Sequence, residues 1–372
     1  MPDPSKTLRR SKPPSRGHSG ATSTPLKAPV SGATPTPLEA PVPGALHKLS
    51  EPVRRLWRTL VGRHELSVFT LLLAVGTFLS LRTDTFLTGN NLSNVSRAFS
   101  WIAIAAFGES MVIIIGGIDL SVGAVMALAG LISALCLRAG LAEPLAIVAG
   151  LLTGGLVGWF NGVVVGRVRL PPFIVTLGTM SIARGITFGL TGGWPVRDLP
   201  QGFRMLGQHD LALGPLVLPL PALFMLGLAA AVGLLLGHTV LGSYIYTLGN
   251  SERALLVCGV NVTQIKVLVY TLCGLLTATG GLLMTARLGV AAPTAATGYE
   301  LDIIASAVIG GTSLFGGKGS ILGVLLGAAT LQILRNGLVL LGFPSYWQTV
   351  TVGTMILLAI LLDYWRKRPA TQ

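Results

Sequence analysis

A succession of apolar runs, each about 20 residues long and nearly free of charge, limits what this chain can fold into. A run of that length crosses the hydrocarbon core as a helix, because a helix satisfies its own backbone hydrogen bonds where no water is present. The runs lack the period-2 alternation of a lipid-facing strand, which argues against a β-barrel. Composition agrees. Of 372 residues, 51% are hydrophobic and 11% are charged, against about 25% charged in soluble domains. The expected fold class is an all-α integral membrane protein with about ten transmembrane helices.

Spans are expected over Leu66–Leu81 and, after the polar stretch Thr83–Arg97, over Ser100–Ile115. Gly116-Gly-Ile-Asp-Leu-Ser-Val-Gly123 interrupts the apolar sequence, and a third span follows to Leu137. The fourth, Pro144–Val165, carries a stripe of Gly150, Gly154, Gly158, Gly162 and Gly166. Such a stripe permits close backbone approach, either as a seam within or between subunits or as general packing. Leu170-Pro-Pro-Phe opens the fifth span, where proline's missing N–H costs least. Thr191–Gly214 reads as a loop and Pro215–Leu236 as span six. Span seven ends near Met284, a short eighth runs over Glu300–Leu314, and Ile321–Leu341 and Tyr346–Leu362 complete the set.

Residues 1–63 hold eleven Lys or Arg and three acids, a net +8 of the chain's +13. Up to residue 46 they are rich in Pro, Ser, Thr and Gly, which cannot bury enough apolar surface to order themselves. No short apolar core with a cleavage site follows, so this is not a signal peptide. Residues 1–63 are expected to be a disordered basic cytoplasmic tail; Leu56, Trp57, Leu60 and Val61 give it one apolar helical face for the membrane surface. Residues 64–368 form the transmembrane domain. The Lys/Arg bias then puts both termini inside (N-in/C-in) with ten spans, or with eight if two of the glycine-broken segments are re-entrant. The basic excess belongs to a membrane anchor and implies no nucleic acid.

The chemistry-bearing residues are few. Cys136, Cys258 and Cys273 are isolated, and nothing has metal-ligand spacing. Gly311–Ser320 departs from a phosphate-binding loop, since Lys318 is followed by Gly319 and no strand precedes it. The chain thus has no ATPase site of its own. Glu300 and Asp302 point apart on a helix. Glu109 is the one serious intramembrane acid for a coupling ion, which leaves an ATP-independent secondary carrier weakly supported. Asp119 and Ser121, in the glycine-broken motif, read either as a gate element or as the cap of the following helix. Gly249–Lys266 carries charges of both signs between two spans. Asn250 or Ser251 can cap a short helix there, with Glu252 in its first turn, an apolar face of Ala254, Leu255, Val257 and Cys258, and Gly259 as its stop. That helix is either a handle for a soluble partner or an ordinary surface loop.

Four stretches, in order, resemble the membrane-spanning permeases of ribose-type sugar importers of the ABC class. They are Gly116–Gly123, Pro171-Pro-Phe-Ile-Val-Thr-Leu-Gly-Thr-Met180, Gly249–Ala254 and Ala307–Ser320, and the likeness covers roughly residues 66–363. It implies a permease subunit, not an enzyme, in a bacterial cytoplasmic (inner) membrane. Its partners would be a separate ATPase that binds ATP and magnesium, an extracytoplasmic sugar-binding protein and a second permease subunit, expected as a homodimer. The family's coupling segment falls on Gly249, Asn250, Ser251, Glu252, Arg253, Ala254 and Gly259. Pathway or gate candidates are Asp119, Ser121, Asn161, Phe173, Thr176 and Thr179, the first two with helix capping and the other four with helix packing as the alternative role. A branched-chain amino-acid importer permease, a secondary carrier and a structural scaffold are the competing functions.

Overall fold

The computed structural model describes residues 64–213 and 216–367, so the expected tail and its surface helix lie outside the described residues. Thirteen helices are present among them. They are α1 (His64–Arg82), α2 (Gly89–Ile114), α3 (Val122–Arg138), α4 (Glu143–Val163), α5 (Pro172–Thr191), α6 (Gln201–Gln208), α7 (Leu220–His238), α8 (Val240–Asn250), α9 (Glu252–Val257), α10 (Val262–Leu288), α11 (Tyr299–Ile309), α12 (Ile321–Leu340) and α13 (Ser345–Lys367). A π-helical turn, Val164–Val168, extends α4. Seven helices are long and apolar enough to cross a bilayer: α1, α2, α4, α5, α7, α10 and α12. Helix α3 is shorter, and the eleven residues of α11 reach only about 16 Å.

Each expected span coincides with a helix, but several boundaries need correction; the eighth, read over Glu300–Leu314, ends at Ile309. The polar stretch before span two is already helical from Gly89, with the Thr88 hydroxyl accepting from the Asn91 N–H. Two of its polar side chains find distant partners. Asn91 exchanges hydrogen bonds with Asn336 at 3.0 and 2.8 Å, and Arg97 pairs with Asp210. The loop read over Thr191–Gly214 contains α6 and strand β1 (Asp210–Leu213), which pairs antiparallel with β2 (Leu216–Pro219). This hairpin is an exception to an all-helical chain, and it moves the start of the sixth span from Pro215 to Leu220. Leu216-Val-Leu read as the start of an apolar helix because a short apolar run carries no period of its own.

The core is built around α2, whose residues 100–114 are all buried. Helices α10, α11 and α12 pack on it, with α7 beside them. At Gly108 a side chain would run into the backbone of Cys273. The glycine stripe of α4 is a seam inside one subunit. A Cβ on Gly154 would overlap the Gly274 carbonyl oxygen, and one on Gly158 the Tyr270 carbonyl oxygen. Gly162 and Gly166 meet Val267 and Thr263 one turn further along α10. Small residues thus bring two backbones together where lipid supplies no hydrophobic drive.

Candidate functional site: a short exposed helix and a buried polar network

Ser251 ends α8 in extended geometry, and its hydroxyl accepts from the Ala254 N–H at 3.3 Å to start α9. Glu252 sits in the first turn, where the helix dipole favours an anion. Gly259 stops the helix with φ +73°, a conformation glycine adopts without strain. Asn261 then caps α10 by accepting from the Gln264 N–H at 3.1 Å. Lys266 therefore already belongs to that span, and it reaches back to Glu252 at 3.0 Å.

The expected apolar face of α9 is narrower than its spacing suggested. Leu255 alone is buried, whereas Ala254 and Cys258 are exposed and Val257 is 82% exposed. Arg253 is exposed and makes no ion pair among the described residues. Gly249 and Asn250 do a different job from the rest of the segment. They form the last turn of α8, and a Cβ on Gly249 would overlap the Ile114 carbonyl oxygen and the Gly317 amide. The Gly317 N–H donates to that same Ile114 carbonyl at 2.8 Å. Tyr246, one turn earlier, donates its hydroxyl proton to the Gly319 carbonyl at 2.8 Å, and burial pushes this phenol up, so it remains a donor. The short helix is thereby tied to the end of α2 and to the turn Gly310–Ser320.

At that end of α2 the chain breaks. Gly116 turns at φ +83°, and the next residues run back along the helix they have just left. The Asp119 N–H donates to Glu109 Oε1 at 3.0 Å, which gives Glu109 a partner ten residues on. Asp119 Oδ1 accepts from both the N–H and the hydroxyl of Ser121, at 2.8 and 2.5 Å. Asn161 on α4 donates to the Ser121 hydroxyl at 3.2 Å and accepts from Thr179 on α5 at 2.6 Å. Thr176 accepts from the Leu120 N–H at 3.2 Å and donates to the Pro172 carbonyl at 3.0 Å. Ser121 is the residue before α3, but its side chain makes no capping bond, and Asp119 binds the Ser121 N–H instead of the helix start.

Five of the six pathway candidates thus meet in one buried network: Asp119, Ser121, Asn161, Thr176 and Thr179. Phe173 stands apart, 53% exposed on α5. Glu109, singled out in the sequence as the one serious intramembrane acid, joins this network through the Asp119 N–H, and Tyr270, which the sequence did not single out, stands beside it. The Tyr270 hydroxyl is buried without a partner among the described residues and lies where a side chain on Gly117 would stand. Gly117, Tyr270, Arg169, Glu252 and Lys266 together line a cavity of about 370 Å³. It joins the foot of the short helix to the break in α2.

Further intramembrane charges also find partners within the fold. Arg335 on α12 holds Asp302 at 2.7 Å, and Arg184 on α5 donates to the carbonyls of Pro293 and Ala295, both at 2.8 Å. Glu300 accepts from the Gly298 N–H at 3.2 Å, so Glu300 and Asp302 do face apart. Among the described residues no group of His, Cys, Asp or Glu could hold a metal ion.

Over residues 91–360 the chain matches the family described as branched-chain amino acid transport system permease component. It is 43% identical to the ribose import permease protein of Escherichia coli K12 over 298 residues, covering 80% of this chain and 92% of that one. It is 41% identical to the Bacillus subtilis ribose import permease protein over 307 residues, with 82% and 92% covered. It is also 38% identical to the D-allose transport system permease protein of Escherichia coli K12 over 296 residues, with 79% and 90% covered. No solved structure matches the chain.

Proposed function

We propose a function on one premise: the chain belongs to the family of branched-chain amino acid transport system permease components. It is a multi-pass membrane protein, and the relatives just named are permeases of sugar transport. The proposed role is the permease subunit of an ATP-driven ABC importer for a monosaccharide in a bacterial inner membrane. Sugar passes through it without covalent change. The ATP and magnesium sites lie on a separate ATPase, a binding protein delivers sugar from outside, and a second permease copy completes the pathway. Both termini face the cytoplasm, residues 1–63 as a basic tail and residues 64–368 as the permease domain.

The observation that carries the coupling assignment is the construction of Ser251–Gly259. A capped helix exposes a charged and partly apolar face outward, while Gly249 behind it is locked to Ile114 and Gly317. A push on α9 therefore reaches the break in α2 and the buried network around Asp119. ATP binding to the partner would shift α9, and the permease pair would exchange between inward- and outward-facing states whose stabilities the ATPase changes. Asp119, Ser121, Asn161, Thr176 and Thr179 act in this reading as the latch of the gate, and Phe173 faces the pathway or the second copy.

The test is ATP-dependent sugar uptake by liposomes holding the permease, its ATPase and its binding protein. Uptake at full rate without ATP would refute the reading. Substituting Glu252, Arg253 and Ala254 by bulky or opposite charges is expected to abolish ATPase capture; retained capture and transport overturn the coupling assignment. The family description alone favours a second reading, a branched-chain amino acid importer permease. Calorimetry of the cognate binding protein with sugars and with leucine separates the two.

A further inference from the structure

A pocket of about 280 Å³ opens at the end of the helices opposite α9. Its position follows from Asn94, which lines it and accepts from Arg287 in the last turn of α10 at 3.0 Å. Its polar walls are Asn94 and Trp101 from α2, Tyr299 from α11, Gln332 and Arg335 from α12, and Gln348 from α13. Gln332 and Arg335 are three apart and share one helical face. Amides and a guanidinium on one side of a membrane helix are costly against lipid, so that side faces protein, water or a ligand.

Several polar atoms here lack partners among the described residues. Trp101 is 8% exposed, and its indole N–H is buried with no acceptor. Arg335 spends one guanidinium nitrogen on Asp302, while its Nε and the second Asp302 oxygen have none. The Gln332 and Gln348 amides make no hydrogen bond among the described residues. Each amide supplies donors and an acceptor, which is what neighbouring hydroxyls on one ring require. Asp302 neutralises Arg335, so the pocket offers no unpaired charge to a carboxylate, ammonium or phosphate. The Trp101 and Tyr299 rings bring apolar surface for the C–H face of a sugar. The volume sits at the lower limit of small-molecule sites, about 300 Å³, which suits one ring and excludes an oligosaccharide.

We propose that this pocket is an entry subsite that takes one neutral monosaccharide, a placement that rests on the sugar-importer reading. Trp101 donates to a ring hydroxyl, and the Gln332 and Gln348 amides bridge adjacent hydroxyls. Tyr299 at the start of α11 forms the inner wall. The few hydrogen bonds give weak binding, as a hand-over site between a binding protein and a pathway requires.

Saturation-transfer NMR on the purified permease–ATPase complex, without binding protein, tests it with D-ribose and D-allose as probes. Wild type is expected to show transfer to at least one sugar. Trp101→Phe and Gln348→Leu are each expected to reduce that signal about fivefold or more, the cost of one hydrogen bond to the ligand. ATPase capture reports folding; should Trp101→Phe misfold, Gln348→Leu, at a partly exposed position, carries the test alone. No transfer in wild type, or undiminished transfer in the folded variants, overturns the subsite. ATP-dependent uptake by the complete transporter is measured in parallel. Uptake without transfer defeats the subsite alone, and absence of uptake defeats the importer reading together with it.

Discussion

Around Ser251–Gly259 one side chain, Leu255, is buried and the charged groups point outward; at Asp119, Ser121, Asn161 and Thr179 every side chain is buried and bonded within the chain. Both sets interrupt apolar sequence, and both carry motif residues. Their difference lies in where the partners are. A polar group away from water needs a hydrogen bond, and the second set has found its bonds across three segments of one fold. The first set has spent only its caps and one exposed ion pair internally, which is the state expected of a surface held ready for another protein.

Substitutions can break this contrast or sharpen it. Asn161→Leu should cost the most stability, about 2–4 kcal/mol, because it removes two buried hydrogen bonds, to Ser121 and from Thr179, and sets an apolar side chain inside the polar network. A fall in melting temperature of about 5 °C or more in detergent is the expected reading; no change would mean that the network is not holding the helices. Gly249→Ala comes next, at about 1–3 kcal/mol, since its methyl group meets backbone atoms that cannot yield. It should abolish ATP-driven uptake while the ATPase still co-purifies, and unimpaired uptake would break the link between α9 and α2. Glu252→Gln loses an exposed pair with Lys266 and should cost about 0.5 kcal/mol. Arg253→Glu should leave stability within about 0.5 kcal/mol. In ATPase capture the order reverses: Arg253→Glu is expected to weaken it about tenfold or more, and Asn161→Leu to leave it intact in the folded fraction.

The helices were readable from the sequence because each apolar run is long and the glycines between them are plain. The stripe Gly150–Gly166 announced close packing, but not its partner; α10 offers Gly274 at the right height only after folding. The Ser251 cap and the Gly259 stop were local chemistry and appear as expected. What escaped depends on residues far apart in the chain. The polar first turn of α2 is bonded to Asn336, 245 residues from Asn91. Asn161 and Thr179 were picked as separate polar points on two spans, and only the fold makes them one hydrogen bond. Trp101 gave no sign of an unpaired N–H, because burial and partners are properties of neighbours.

The seam between α4 and α10 restricts how such a protein can move. From Gly154 to Gly166 its glycines recur every four residues, and each meets the backbone of α10. Sliding one helix along the other would bring a side chain onto the opposing main chain until the next glycine arrived, a step of about 6 Å. No intermediate register exists. The two helices behave as a single beam, and any change of shape must be taken up elsewhere, as at α5, where a side chain added at Gly178, Gly185 or Gly189 would meet nothing within 4 Å.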